Sequence, residues 1–202
     1  SNVVVAALWL SSWLFTLSLA QAPRSELLDE LARVADGQTD AAPILQKLID
    51  SRPGHLQLPP GTYRLERTVD IDLAQTGYLS LTGSSASQLV MSGAGPALRF
   101  KGSHFKSADP PGFSEQVWDQ ERMPVVKGIA IRGEHPAAVG IEATGTMQLT
   151  ISQVHLRQLQ HGVHLLNNNR NVLIDACHIY ENHGIGVFYD QVNLHQSNII
   201  GC

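Results

Sequence analysis

One short pattern appears three times in the C-terminal third of the chain: Gly140-Ile141-Glu142-Ala143, Gly162-Val163-His164-Leu165 and Gly184-Ile185-Gly186-Val187. Successive copies start 22 residues apart. A short strand recurring at such a period cannot bury its apolar face alone, and it gains a core only by stacking on its own copies. The chain is therefore read as an all-β solenoid of stacked coils. The residues between the copies agree with this. Val126, Ile129 and Ile131 are followed by Leu149, Ile151, Val154 and Leu156, then by Val172, Ile174, Cys177 and Ile179, and Leu194 and Ile199 open a further copy. Each coil reads as a strand, a two-residue turn, a second strand, a longer turn, then the Gly-Ile-x-Val strand. Alternate residues of each strand point into the stack.

Charge is sparse, at 16% Asp, Glu, Lys and Arg with a formal net of −4, which argues against nucleic acid as a partner. All of it lies from Arg24 onward. Val3 to Leu19 is apolar with Ser and Thr interspersed and runs into Ala20-Gln21-Ala22, the small-x-small pattern of an export signal cleavage site, so 1–22 is read as a signal peptide. The positive n-region and an initiator Met are missing, so the start is expected a few residues upstream. An uncleaved leader would be the chain's one membrane contact. The mature domain, 23–202, is expected to be secreted, periplasmic or on the cell surface. Cys177 and Cys202 form no disulfide framework, and their separation does not suit a zinc site. Cys177 reads as a small inward residue.

Nearer the N-terminus, Ser25 is placed to cap a helix carrying Leu27, Leu28, Leu31 and Val34, and Asp40 a second carrying Ile44, Leu45, Leu48 and Ile49 that stops at Arg52-Pro53-Gly54. Two strands with a tight turn follow. Ala35-Asp36-Gly37-Gln38-Thr39-Asp40, a helix, then Leu56-Gln57-Leu58-Pro59-Pro60-Gly61-Thr62-Tyr63 resembles the opening of the pectate lyase superfamily. The resemblance covers about residues 36–100, and the repeats from Gly128 onward are similar to the same family's coils. It implies a right-handed parallel β-helix capped by an N-terminal helix. It also implies an activity on extracellular, acidic polysaccharide, by β-elimination or hydrolysis. A viral tailspike of the same fold would carry no export leader, which sets that reading aside. Leu194 to Cys202 begins a coil without completing it, so further coils are expected beyond.

The resemblance places the polymer on the face of the Gly-Ile-x-Val strand. Its outward column is expected to hold Arg99, Glu142, His164 and Gly186, with Lys101, Thr144, Leu166 and Phe188 one position further. Arg99, Glu142 and His164 are the candidate catalytic residues, able to hold a uronate carboxylate, accept a proton and donate one. Lys101, Trp118 and Phe188 are the candidate substrate-binding residues, the aromatics stacking on sugar rings. Trp118 belongs to an insertion, 103–124, long enough to suggest a role at the groove. A lone Glu falls short of the two carboxylates that glycoside hydrolysis ordinarily uses. The Asn-Thr-Asp, Asp-Asp and Arg-Ile-Lys motifs of polygalacturonases are absent, so His161-Gly162 and His183-Gly184 are read as a turn ladder. Asn167, Asn168, Asn169, Asn171 and Asn193 are likewise read as turn and ladder residues.

A second outward column holds His155 and His178 beside Arg132, Arg157 and Tyr180, and offers itself to an anionic polymer. No cofactor is assigned and no metal site is expected. Asp70 and Asp72, flanking Ile71, are the one pair where calcium comes into question. The alternative to an enzyme is a non-catalytic glycan-binding or structural β-helix. Substrate linkage and oligomeric state are not encoded in any of these motifs.

Overall fold

The computed structural model describes residues 24–106, 109 and 112–202; the leader reading of 1–22 lies outside them. The strands form three parallel sheets. The first contains β1 (Asp36–Asp40), β3 (Gly61–Leu65), β6 (Ser87–Met91), β9 (Ala130–Gly133), β12 (His155–Arg157) and β15 (His178–Tyr180). The second contains β2 (Gly54–Gln57), β5 (Leu79–Thr82), β8 (Val125–Lys127), β11 (Thr150–Ser152), β14 (Val172–Asp175) and β17 (Ser197–Ile200). The third contains β4 (Val69–Asp72), β7 (Gly95–Lys101), β10 (Ala138–Met147), β13 (His161–Arg170) and β16 (Val187–Leu194). The chain visits the second, first and third sheets in turn, so each coil gives one strand to every sheet. This is a parallel β-solenoid, the architecture the repeat predicts.

The inward residues of successive coils stack into one core. Leu81, Val126, Ile151 and Ile174 lie in register across the second sheet, and Leu89, Ile131 and Leu156 across the first, all buried. Cys177 takes its expected inward place. Two helices, α1 (Arg24–Arg33) and α2 (Ala42–Asp50), pack on the N-terminal coils, and Leu27, Leu31, Ile44, Leu45, Leu48 and Ile49 join the same core. Two details of this region differ from expectation. Ser25 lies inside α1, and the N-cap of α2 is Ala41. Asp40 sits one residue outside, where Oδ1 accepts from the Ala42 amide at 3.0 Å and also from the Glu66 amide at 3.1 Å. Its carboxylate thereby ties the helix entry to the end of β3.

The corners between sheets are sharp. Gln153, Ala176 and Gly201 occupy one corner at φ of 54°, 48° and 63°, and Gln158 and Glu181 another at 57° and 53°. Left-handed corners let the backbone amide reach the coil above, as in Gln153 N to Asp175 O at 2.9 Å and Ala176 N to Ile200 O at 2.9 Å.

The asparagine run is less uniform than its composition implied. Asn169 is fully buried. Its Oδ1 accepts from the Thr146 amide (3.2 Å) and hydroxyl (2.7 Å), and its Nδ2 donates to the carbonyls of Ala143 (3.1 Å) and Leu166 (3.0 Å). All four groups are satisfied, which is the condition for an amide to sit in a core. Asn167 stays exposed and donates to Thr144 Oγ1 at 3.1 Å.

The largest difference lies in the last copy of the repeat. His164 pairs with Phe188, an offset of 24 residues, whereas Glu142 pairs with His164 at an offset of 22. The turn before β16 holds two more residues than its predecessor, so Gly186, not Gly184, stands beside Gly162. This moves Phe188 into the Arg99–Glu142–His164 column and puts Asp190 opposite Leu166 in the next one. Leu194 consequently closes β16, opposite Asn169, instead of opening the following coil.

Candidate functional site

The outward column of the third sheet runs Asp70, Arg99, Glu142, His164, Phe188 across five neighbouring strands. Parallel pairing at about 4.8 Å per strand lets each side chain meet the next. Arg99 Nε donates to Glu142 Oε1 at 2.6 Å, and its Nη1 reaches Asp70 Oδ1 at 3.4 Å. Lys101 Nζ lies 3.1 Å from the same Asp70 oxygen. Burial alone would lower the Arg99 pKa, but the hydrogen bond and charge of Glu142, then of Asp70, outweigh it and raise the value. Arg99 is thus a fixed cation that holds one oxygen of Glu142.

The other oxygen of Glu142 faces His164. Nδ1 of the imidazole is 3.6 Å from Glu142 Oε2, and Nε2 is 3.1 Å from Asp190 Oδ2. Nδ1 is buried and makes no hydrogen bond. The ring lies flat on Phe188, with centroids 5.0 Å apart and planes 7° apart. His161 closes the group, 4.8 Å from the Phe188 ring and 5.5 Å from His164. Its Nδ1 accepts from the Ile185 amide at 3.0 Å. His161 therefore belongs to this cluster and not to a simple turn ladder, while His183 bonds elsewhere, to the Pro136 carbonyl at 2.7 Å.

The expected residues accordingly divide. Arg99, Glu142, His164 and Phe188 are brought together, Lys101 joins through Asp70, and Trp118 is held apart. The insertion is anchored at the C-terminal ends of the strands. His104 N donates to Gly145 O and Met123 N to Met147 O, each at 3.0 Å, and the buried Glu121 accepts from Ser103 N (2.7 Å) and Oγ (2.6 Å). Trp118, in a short π-helical turn over Val117–Glu121, is 41% exposed and packs edge-on to Phe113 at 5.4 Å. Its carbonyl accepts from the Arg122 guanidinium. Sequence reasoning missed Asp190 and His161, and it treated Asp70 only as a calcium candidate. Asp190 entered the site through the two-residue change in register, which alternation within a strand does not reveal.

Asp70 and Asp72 do not share a function. Asp70 takes the two cations, whereas Asp72 caps a one-turn helix, α3 (Leu73–Thr76), accepting from Ala74 N at 3.2 Å and Gln75 Nε2 at 2.8 Å. Among the described residues no group of three or more His, Cys, Asp or Glu side chains is arranged to hold a metal ion.

Chemically, the cluster is an imidazole between two carboxylates on an open face. The His164 ring itself occupies the space between the Glu142 and Asp190 carboxylates, meeting one through Nδ1 and the other through Nε2.

Three histidines have pKa values below the ordinary one: His104, His155 and His161, each mainly through burial. Neighbouring positive charge adds to this, from Arg170 at His104, from Arg157 and His178 at His155, and from His164 at His161. The unfolded chain then binds more protons than the folded one as pH falls below about 6.5, so stability drops with acidification through that range. Melting temperature is expected to decline from pH 7 to pH 5. Replacing His104 with Gln is expected to flatten that slope in a series of thermal melts.

The chain thus belongs structurally to the parallel β-solenoids. No protein-family model matches it, and no curated protein sequence does. Among solved structures it is similar to ORF18 of Geobacillus virus E2, with a TM-score of 0.59 and 16% identity over 87% of this chain and 41% of that one. At that identity the likeness is one of fold alone, and this chain spans less than half of the viral protein's length.

Proposed function

We propose that the chain is part of an exported, right-handed parallel β-helix that binds and cleaves an acidic extracellular polysaccharide on its third sheet. The handedness follows the strong preference of parallel crossovers for the right-handed sense. The apolar faces of α1 and α2 against the first coils fit a capping role for these helices. The pectate lyase-like opening of the chain supports the substrate class.

One observation carries the reading: His164 sits between Glu142 and Asp190 while stacked on Phe188. Two carboxylates and an imidazole supply an acid and a base, and the Phe188 ring offers an apolar surface to a sugar. Arg99 acts as a positioning residue, holding Glu142 in its rotamer. The pairing of the local cations favours hydrolysis over β-elimination. Elimination from a uronate needs cationic groups on its carboxylate, and here Arg99 and Lys101 are already paired with Asp70 and Glu142.

The test is incubation of the full-length protein with acidic and neutral polysaccharides, following reducing ends and unsaturated uronate products together. New reducing ends without unsaturation are the expected result. Unsaturated ends would replace hydrolysis with elimination. Polymer binding without any cleavage would favour the second reading, a non-catalytic glycan-binding scaffold. The continuous pairing of Lys101, Asp70, Arg99 and Glu142 speaks for that reading, because such a ladder also serves simply to neutralise a stacked face.

A further inference from the structure

The outer face of the first sheet treats its arginines unequally. Arg64, Arg132 and Arg157 all point outward, and Glu134 takes the first two, at 2.8 Å and 2.7 Å. Arg157 stands next to Arg132 in the row that continues to Tyr180. It makes no ion pair among the described residues, and its Nε is buried without a hydrogen-bond partner.

An open groove of about 380 Å³ is lined by Gly83, Ser84, Ser85, Ile129, Gln153 and His155 among others, and Arg157, two residues after His155, stands outside that lining. Its volume falls in the range of small-molecule sites. The groove exists because Ala130 stands where the next coils carry His155 and His178, so the row has a gap beside the His155 ring. His155 and Arg157 flank the inward Leu156 and share the outward face, about 7 Å apart along the strand. The His155 ring stacks on Tyr180 at 5.0 Å, and Tyr180 is itself exposed. Serine hydroxyls, a glutamine amide and an imidazole in the groove, with Arg157 as the next outward residue beyond His155, suit a hydroxyl-rich ring bearing one carboxylate. Glu181 is the acidic group that acts on His155, and it lies on the exposed side.

We propose that this corner is a second, non-catalytic binding site for an acidic sugar unit, with its ring in the groove beside His155 and its carboxylate on Arg157. It lies on a different sheet from Glu142 and His164 and stands independently of whether that cluster is catalytic.

Isothermal titration calorimetry with a uronate disaccharide and its neutral, carboxyl-reduced counterpart tests this. The uronate is expected to bind at least about tenfold more tightly than the neutral sugar, as a charge-assisted fork–carboxylate pair implies. Arg157→Ala is expected to remove that advantage and Ser85→Trp to block the groove. Ser85 is exposed, so its variant decides the matter should Arg157→Ala melt below the working temperature. Equal affinity for the two sugars, no uronate binding, or an affinity unmoved by both variants would each overturn the proposal.

Discussion

His164→Ala is expected to lower turnover of the acidic polysaccharide by about a thousandfold, in the middle of the range for a positioned acid or base. The imidazole is the group that meets both carboxylates, through Nδ1 toward Glu142 and Nε2 toward Asp190. Without it, neither proton transfer nor the alignment of Asp190 survives. Its side chain points away from the core, so the variant should keep its melting temperature within a few degrees. The loss should fall on kcat with KM nearly unchanged, because sugar contact is assigned to Phe188. Phe188→Ala should show the opposite split, raising KM more than it lowers kcat. A His164→Ala protein with wild-type turnover would reduce the column to a charge ladder and leave the scaffold reading standing.

Gly162→Ala is expected to destabilise the protein by roughly 3 kcal/mol, at the upper end of overpacking effects. A Cβ at this position would sit 2.6 Å from the Gly186 carbonyl oxygen and 2.8 Å from Ile179 Cγ2. Neither neighbour moves cheaply. The carbonyl belongs to the next coil, whose strand is hydrogen-bonded to this one through Gly162 N to Ile185 O at 3.2 Å and Val163 N to Gly186 O at 2.9 Å. Parting the coils would break those bonds and lift Phe188 and Asp190 from His164. Urea unfolding followed by circular dichroism measures the cost, and a shift below about 1 kcal/mol would mean that the coils open readily at this corner. The same substitution should also impair any activity, since both halves of the cluster depend on this contact.

The glycine of the repeat was thus visible in the sequence long before its reason was. The spacing of Gly140 and Gly162 announces stacked coils, but only the close approach of one coil's carbonyl to the next explains why a side chain is excluded. The pairing of Glu142 with His164 was legible because alternation and an offset of 22 residues suffice to derive it, whereas Arg99, 43 residues before Glu142, was placed by the likeness of Ala97-Leu98-Arg99-Phe100 to the repeated strand. Phe188, Asp190 and His161 were not legible, because two added turn residues shift the following strand by a full side-chain period without disturbing its pattern. The position of Trp118 was not legible for a different reason. An insertion can leave a coil anywhere, and the hydrogen bonds of Glu121 and His104 decide that this one folds over the strand ends.

The sequence by itself determined the kind of architecture and which residues face outward, because periodicity and alternation are local properties of the chain. The tertiary structure decided which outward residues meet. Glu142, His164 and Asp190 come from three different coils, and their encounter depends on the length of the turns between them. Arg132 has Glu134 within reach at 2.7 Å, whereas Arg157, one coil further on, has no such partner among the described residues. Such choices rest on contacts between residues distant in the chain, and no repeat carries them.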